Sequence, residues 1–140
     1  MASNYSSDLT LELITTGEKA GLWGTITNTN LQILQQAASG YVEVAMGGGS
    51  DVTLSLADGS NTANGKNIYL KLTGTLTASV NLIIPATSTG GTVNRVYIIE
   101  DTTSRTTTNY TLNVKTDGSS NPVPIPEGAN LIVRSGSSAE

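Results

Sequence analysis

Apolar and polar residues alternate one by one in seven short runs: Tyr41 to Met46, Val52 to Leu56, Ile68 to Leu72, Val80 to Ile84, Val93 to Ile99, Tyr110 to Val114 and Asn130 to Val133. Runs of this length, rich in β-branched and aromatic side chains, predict strands with one dry face and one wet face. Turn clusters separate several of them: Gly47-Gly48-Gly49, Asp58-Gly59-Ser60-Asn61, Ser88-Thr89-Gly90-Gly91 and Asp117-Gly118-Ser119-Ser120-Asn121. A doubly wound α/β fold would need a helix after most strands, and only one segment carries a helical period. The expected fold is therefore mainly β, an antiparallel β-sandwich or barrel-like domain over residues 41–134. Pro85 ends the fourth run, and Pro122, Pro124 and Pro126 mark an extended edge or connector that discourages foreign strands.

Residues 1–40 have a different organisation. A polar lead, Met1 to Asp8, precedes Leu9-Thr10-Leu11-Glu12-Leu13, whose alternation suits an extended arm docking its leucine face. A helix is predicted from Trp23 or Ile26 to Ser39, with Thr25, Thr27 or Asn28 as N-cap and Gly40 as a left-handed C-terminal residue. Ile26, Ile33 and Ala37 fall on its buried side with Leu34 and Ala38 beside them, leaving Asn28, Gln32, Gln35 and Gln36 to solvent. Residues 135–140 have the composition of a flexible tail or linker.

Composition narrows the chemistry. The 140 residues are enough for one ordinary domain. There is no cysteine and no histidine, so disulfides, thiolate metal sites and a Ser-His-Asp triad are excluded, and the commonest general base is missing. Charged residues make up only 13%, and the net charge is −4 with a pI near 4.6. The few Lys and Arg are scattered along the chain, which argues against a nucleic-acid partner. No apolar run is long enough to span a membrane, and no basic segment followed by an apolar core opens the chain, so a chain without an export signal is expected. The sequons at Asn4 and Asn109 then predict nothing.

The remaining polar clusters have plain explanations. Gly17, Gly21 and Gly24 match no phosphate-binding spacing and suit tight chain reversals. Glu100 and Asp101 are consecutive, so on a strand they point to opposite faces and cannot flank one glycosidic bond; a solvated strand end is the expected setting. The two Asp-Gly turns lack the oxygen-ligand spacing of a calcium loop. No catalytic residue, cofactor or metal site is expected, and the chain is expected not to be an enzyme. Trp23, between Leu22 and Gly24, suits a local packing plug, an anchor into a partner subunit or a ligand platform.

The order Thr15-Thr16-Gly17-Glu18, then Gly21-Leu22-Trp23-Gly24-Thr25, then Asn28-Thr29-Asn30-Leu31 resembles the opening segment of tail-fibre-like structural proteins of tailed bacteriophages, marine phages especially. The resemblance covers residues 9 to about 40 and extends weakly into the strands. It implies a virion structural protein, homo-oligomeric with a trimer as the expected form, which contacts other proteins of the tail or baseplate and takes part in host adsorption. It also implies a place in the virion after synthesis in the host cytoplasm, with a host-surface glycan as a further partner and with neither nucleic acid bound nor membrane entered. The expected subunit contacts are Leu11, Leu13, Leu22, Trp23, Asn28 and Asn30. Two alternatives stay open: a capsid decoration or cement protein on the capsid surface, and a carbohydrate-binding module using Tyr41, Tyr69, Tyr97 or Tyr110 as stacking platforms.

Overall fold

The computed structural model describes residues 3–136. After an arm that pairs β1 (Asn4–Tyr5) with β2 (Glu12–Leu13) and a helix α1 (Trp23–Ser39), the chain winds into stacked coils. The first coil contains β3 (Tyr41–Ala45), a bridge at Gly48 and β4 (Val52–Thr53). The second contains β5 (Tyr69–Thr73), β6 (Thr75–Leu76) and β7 (Val80–Ile84), and a small ribbon of β8 (Thr87–Ser88) and β9 (Gly91–Thr92) follows it. The third coil contains β10 (Val96–Asp101), β11 (Ser104–Arg105) and β12 (Leu112–Thr116). Finally β13 (Val123–Ile125) and β14 (Asn130–Arg134) lie antiparallel to β12 and β10.

Strands in successive coils pair in parallel: β3 with β5 with β10, β4 with β7 with β12, and β6 with β11. Each residue lies over one about 28 to 32 positions later, a period typical of stacked repeats. The body is thus a short three-faced β-solenoid. The mainly β class with a leading arm and one helix holds, but the antiparallel sandwich or barrel arrangement does not describe these ladders. Alternation reveals which face of a strand is buried and is blind to the direction of its neighbour. A solenoid strand has one dry and one wet face, like a sandwich strand.

The core is made of inward columns. Val42, Leu70, Ile99 and Leu131 align across one face, and Val52, Leu82, Val114 and Val123 across another, joined by Met46, Leu54, Leu76 and Ile84. The column Val44, Leu72 ends on Asp101. Asp101 is buried rather than solvated, its carboxylate accepting from Thr103 N and Oγ1 and pairing with Arg105 at 3.0 Å. Arg105 also donates to the carbonyl of Ile125, so this buried pair ties the third coil to the closing strands. At the corner before β6, Gly74 has φ +108° and a Cβ there would lie 2.7 Å from Gly47 N, so coils can stack at this corner only with glycine.

Three local expectations are corrected. Helix α1 starts at Trp23 with Leu22 as N-cap and no side-chain cap bond, so none of Thr25, Thr27 or Asn28 caps it. Gly40 is extended rather than left-handed, and is required because a Cβ would collide with Asn67 Oδ1 and the Gln36 backbone. The polar tail begins no earlier than Gly136, because Ser135 is buried and exchanges hydrogen bonds with Arg95; residues 137–140 lie outside the described residues.

Leu72→Ala, which empties a fully buried position in the central coil, is expected to lower stability by about 2–5 kcal/mol. Ile132→Ala, on the outer face at 75% exposure, is expected to change it by less than about 0.5 kcal/mol. Urea denaturation of both variants checks the contrast.

Candidate interaction surface

The arm is fastened to parts of the chain far away in sequence. Asp8 accepts from Asn94 N through Oδ1 at 2.7 Å and from Arg95 Nη1 through its carbonyl at 3.2 Å; Ser88 Oγ donates to the carbonyl of Ser7 at 2.9 Å. A Cβ at Gly90 would overlap the backbone of Tyr5, Ser6 and Ser7, so the loop before β9 fits directly against the arm. Thr10, with φ +55°, is buried, and its carbonyl accepts from Gly59 N. These bonds fold the leucine segment back on itself, so Leu9 and Leu11 are half-buried while Leu13 is exposed. Docking of the whole leucine face is corrected accordingly.

The ordered motif then turns the chain from arm to helix. Gly17 and Gly21 supply positive φ, Lys19 stands at φ +58°, and Lys19 accepts from Leu22 N and Trp23 N. Lys19 Nζ bridges Glu12 at 3.1 Å and Ser3 Oγ at 3.0 Å. The Ser3 hydroxyl and the Lys19 ammonium hold the Glu12 carboxyl below its usual range against a smaller opposing effect of burial. Asn30, on α1, accepts from Glu12 N at 3.0 Å and donates to Glu12 O at 2.9 Å, pairing with the arm as another strand would. Of the expected contacts, Leu13, Leu22, Trp23 and Asn28 are exposed, Leu11 is half-buried, and the Asn30 amide is engaged within the chain.

Trp23 is 63% exposed, which removes the packing-plug role. With Leu13, Ile14, Leu22, Leu31 and Leu34 it makes six exposed large apolar residues within the arm, the turn and α1, the others among the described residues being Tyr41, Val96 and Ile132 on the strands. Apolar residues gathered in this way mark interaction surfaces. Nothing in the sequence pattern separates an exposed Leu34 from a buried one, because Leu34 sits beside the true buried stripe of Ile26, Ile33 and Ala37.

A second surface lies on the wet face of β3, β5, β10 and β14. Tyr41, Tyr69, Ile98 and Ile132 form one cross-strand row, and Glu43, Lys71, Glu100 and Asn130 form another. The rings of Tyr41 and Tyr69 stack with centroids 5.7 Å apart. Their hydroxyls donate to Glu43 and Glu100, and those bonds raise both phenol pKa values. Tyr97 is fully buried with its hydroxyl on the carbonyl of Gly65, so it cannot serve as a platform, and Tyr110 lies apart beside Leu112 and Pro124.

Among the described residues no group of three or more Asp or Glu could hold a metal ion, and no helix is long and apolar enough to cross a membrane. The apolar cavity between Ile84, Val114, Leu131 and Val133 measures about 170 Å³, below the roughly 300–1,000 Å³ of ordinary ligand pockets. No family model, curated protein or solved structure matches the chain.

The turn before β5 buries a charge. Lys66 is fully buried and its Nζ makes no hydrogen bond among the described residues; burial and the Arg95 guanidinium lower its pKa to about 8, partly opposed by Asp58. The folded state therefore releases this proton at lower pH than the unfolded chain, whose lysine titrates near 10.5. Between these values the unfolded state binds more protons, so the Lys66 contribution to stability rises with pH from about 8 upward. Lys66→Met is expected to flatten that rise, measured as denaturation midpoints between pH 7.5 and 9.5, below the ordinary titration range of tyrosine.

Proposed function

We propose that the chain is a non-catalytic structural module of a tailed-bacteriophage particle, a tail fibre or tail-attached subunit that assembles through its N-terminal segment and takes part in host adsorption. One observation carries this reading. The TTGE, GLWGT and NTN elements, which resemble the opening of tail-fibre-like proteins, fold into a turn and the first two turns of α1, braced through Asn30 on Glu12, with Leu22 and Trp23 held outward where the turn meets the helix. Tryptophan exposed at the edge of a rigid element is a common anchor for a partner subunit, since one side chain buries a large apolar area at little entropic cost. The solenoid body, pinned to the arm through Asp8, Asn94 and Arg95, gives the anchor a stiff support.

Labelling particles of the encoding phage with antibody to the chain is expected to mark the tail, and Trp23→Ala is expected to reduce incorporation at least about tenfold, the loss that follows when a hot-spot contact of 1.4 kcal/mol or more is removed. Label over the head would favour a decoration protein. Unlabelled particles, or full incorporation of the variant, would overturn the tail assignment.

The stacked Tyr41 and Tyr69 support carbohydrate binding as a second reading. They offer adjoining ring surface at the edge strand, next to carboxylates that can accept from sugar hydroxyls. Binding on a glycan array that disappears with Tyr41→Ala is the expected result on this reading, and an array silent for the intact chain would remove it.

A further inference from the structure

Helix α1 divides its residues among three sectors. Ile26, Thr29, Asn30, Ile33, Gln36 and Ala37 are buried or half-buried toward the arm and body. Thr25, Asn28, Gln32, Gln35 and Ser39 form an exposed amide and hydroxyl sector. Between these, Trp23, Thr27, Leu31, Leu34 and Ala38 recur at steps of three or four, all exposed, with Leu31 at 57% and Leu34 at 41%. At about 100° per residue these five make a single stripe along the axis. Thr27 is the one polar residue in the stripe, and the exposed amides of the helix all lie in the other sector, so this stripe is not a solvated face with stray leucines.

We propose that this stripe is a seam for the α1 helix of a second copy of the chain. The proposal rests on the assembly reading above and adds the partner and the contact residues. Three observations select a second copy. Steps of three and four are the spacing at which knobs of one helix enter holes of another helix of the same period. Helix α1 carries no charged residue, whereas the chain as a whole carries −4; two like-charged copies meet with least repulsion through a face without charges. The exposed Leu13 and Ile14 follow directly on Glu12, which is bonded to Asn30 beside the stripe, so the arm widens the apolar surface. The helix spans only about 25 Å, less than the three or four heptads of a free-standing coiled coil, so the association depends on concentration.

Leu31 stands at the middle of α1 and therefore meets its own counterpart whether the two helices run parallel or antiparallel. The natural chain has no cysteine, so a single introduced thiol reports this contact alone. Leu31→Cys is expected to form an inter-chain disulfide under mild oxidation about tenfold faster than Gln32→Cys, because the seam raises the effective concentration of one thiol near the other. By light scattering, the intact chain is expected to rise from 14.4 kDa toward a multiple of it with concentration, while the double variant Leu31→Glu, Leu34→Glu stays at the monomer mass with its helical circular dichroism intact. Equal cross-linking rates at the two positions, or an intact chain monomeric at every concentration, would overturn the seam. A monomeric chain still found in particles would overturn the seam and leave the structural-module reading standing; rapid Leu31→Cys cross-linking in a chain absent from particles would do the reverse.

Discussion

Each coil of this protein buries its aliphatic residues only because another coil lies over it in register. Within one coil the inward side chains are too few to form a core, a constraint general to stacked repeats. Stacking converts isolated residues into columns such as Val42, Leu70, Ile99 and Leu131, and it satisfies the backbone through ladders that continue round the corners at Gly48 and Gly74. A stack must also end. Here it ends on antiparallel β13 and β14, with Pro124 inside the edge strand β13, and on a buried Asp101 and Arg105 pair that replaces the aliphatic column. Proline at that edge removes a ladder donor, so another strand gains little by adding there.

The arm depends on the finished stack in turn. Its anchors Ser88, Gly90, Asn94 and Arg95 lie between the second and third coils and Gly59 between the first and second, so the arm takes its place from loops that the stacking of the coils brings together. The turn through Gly17 to Gly21 then has a fixed base, and the exposed Leu22 and Trp23 take a defined direction. An apolar side chain held outward by a braced turn has already lost much of the freedom that docking would otherwise remove.

The sequence made the strands legible because alternation survives any pairing scheme: each of the seven runs contains all or part of a strand, though β4 covers only Val52–Thr53 of its run, and the helix runs from Trp23 to Ser39. The scheme itself was hidden in a repeat of about 28 to 32 residues that shares few identities, a period known to signal solenoids. Tyr41 over Tyr69 was the visible trace of it. Asp101 could not be recognised as buried, since its partner Arg105 lies across a turn whose shape depends on the coil below. At the surface, the Trp23 motif was legible as a unit, but its exposure was not, because a tryptophan between a leucine and a glycine reads the same whether it packs inward or projects.

Arg95 gives the molecule an unusual route for force. Its guanidinium holds the carbonyl of Asp8 in the arm, while its backbone exchanges hydrogen bonds with Ser135 near the far end of the described chain. Asn94 N binds the Asp8 carboxylate beside it, and β14, which ends at Arg134, is laddered to β10, so tension applied between Asp8 and Ser135 crosses through Asn94, Arg95 and that antiparallel ladder. Such a path bypasses the parallel ladders between successive coils, so a pull on these two points is borne by side-chain and edge contacts and not by the stacking of the solenoid.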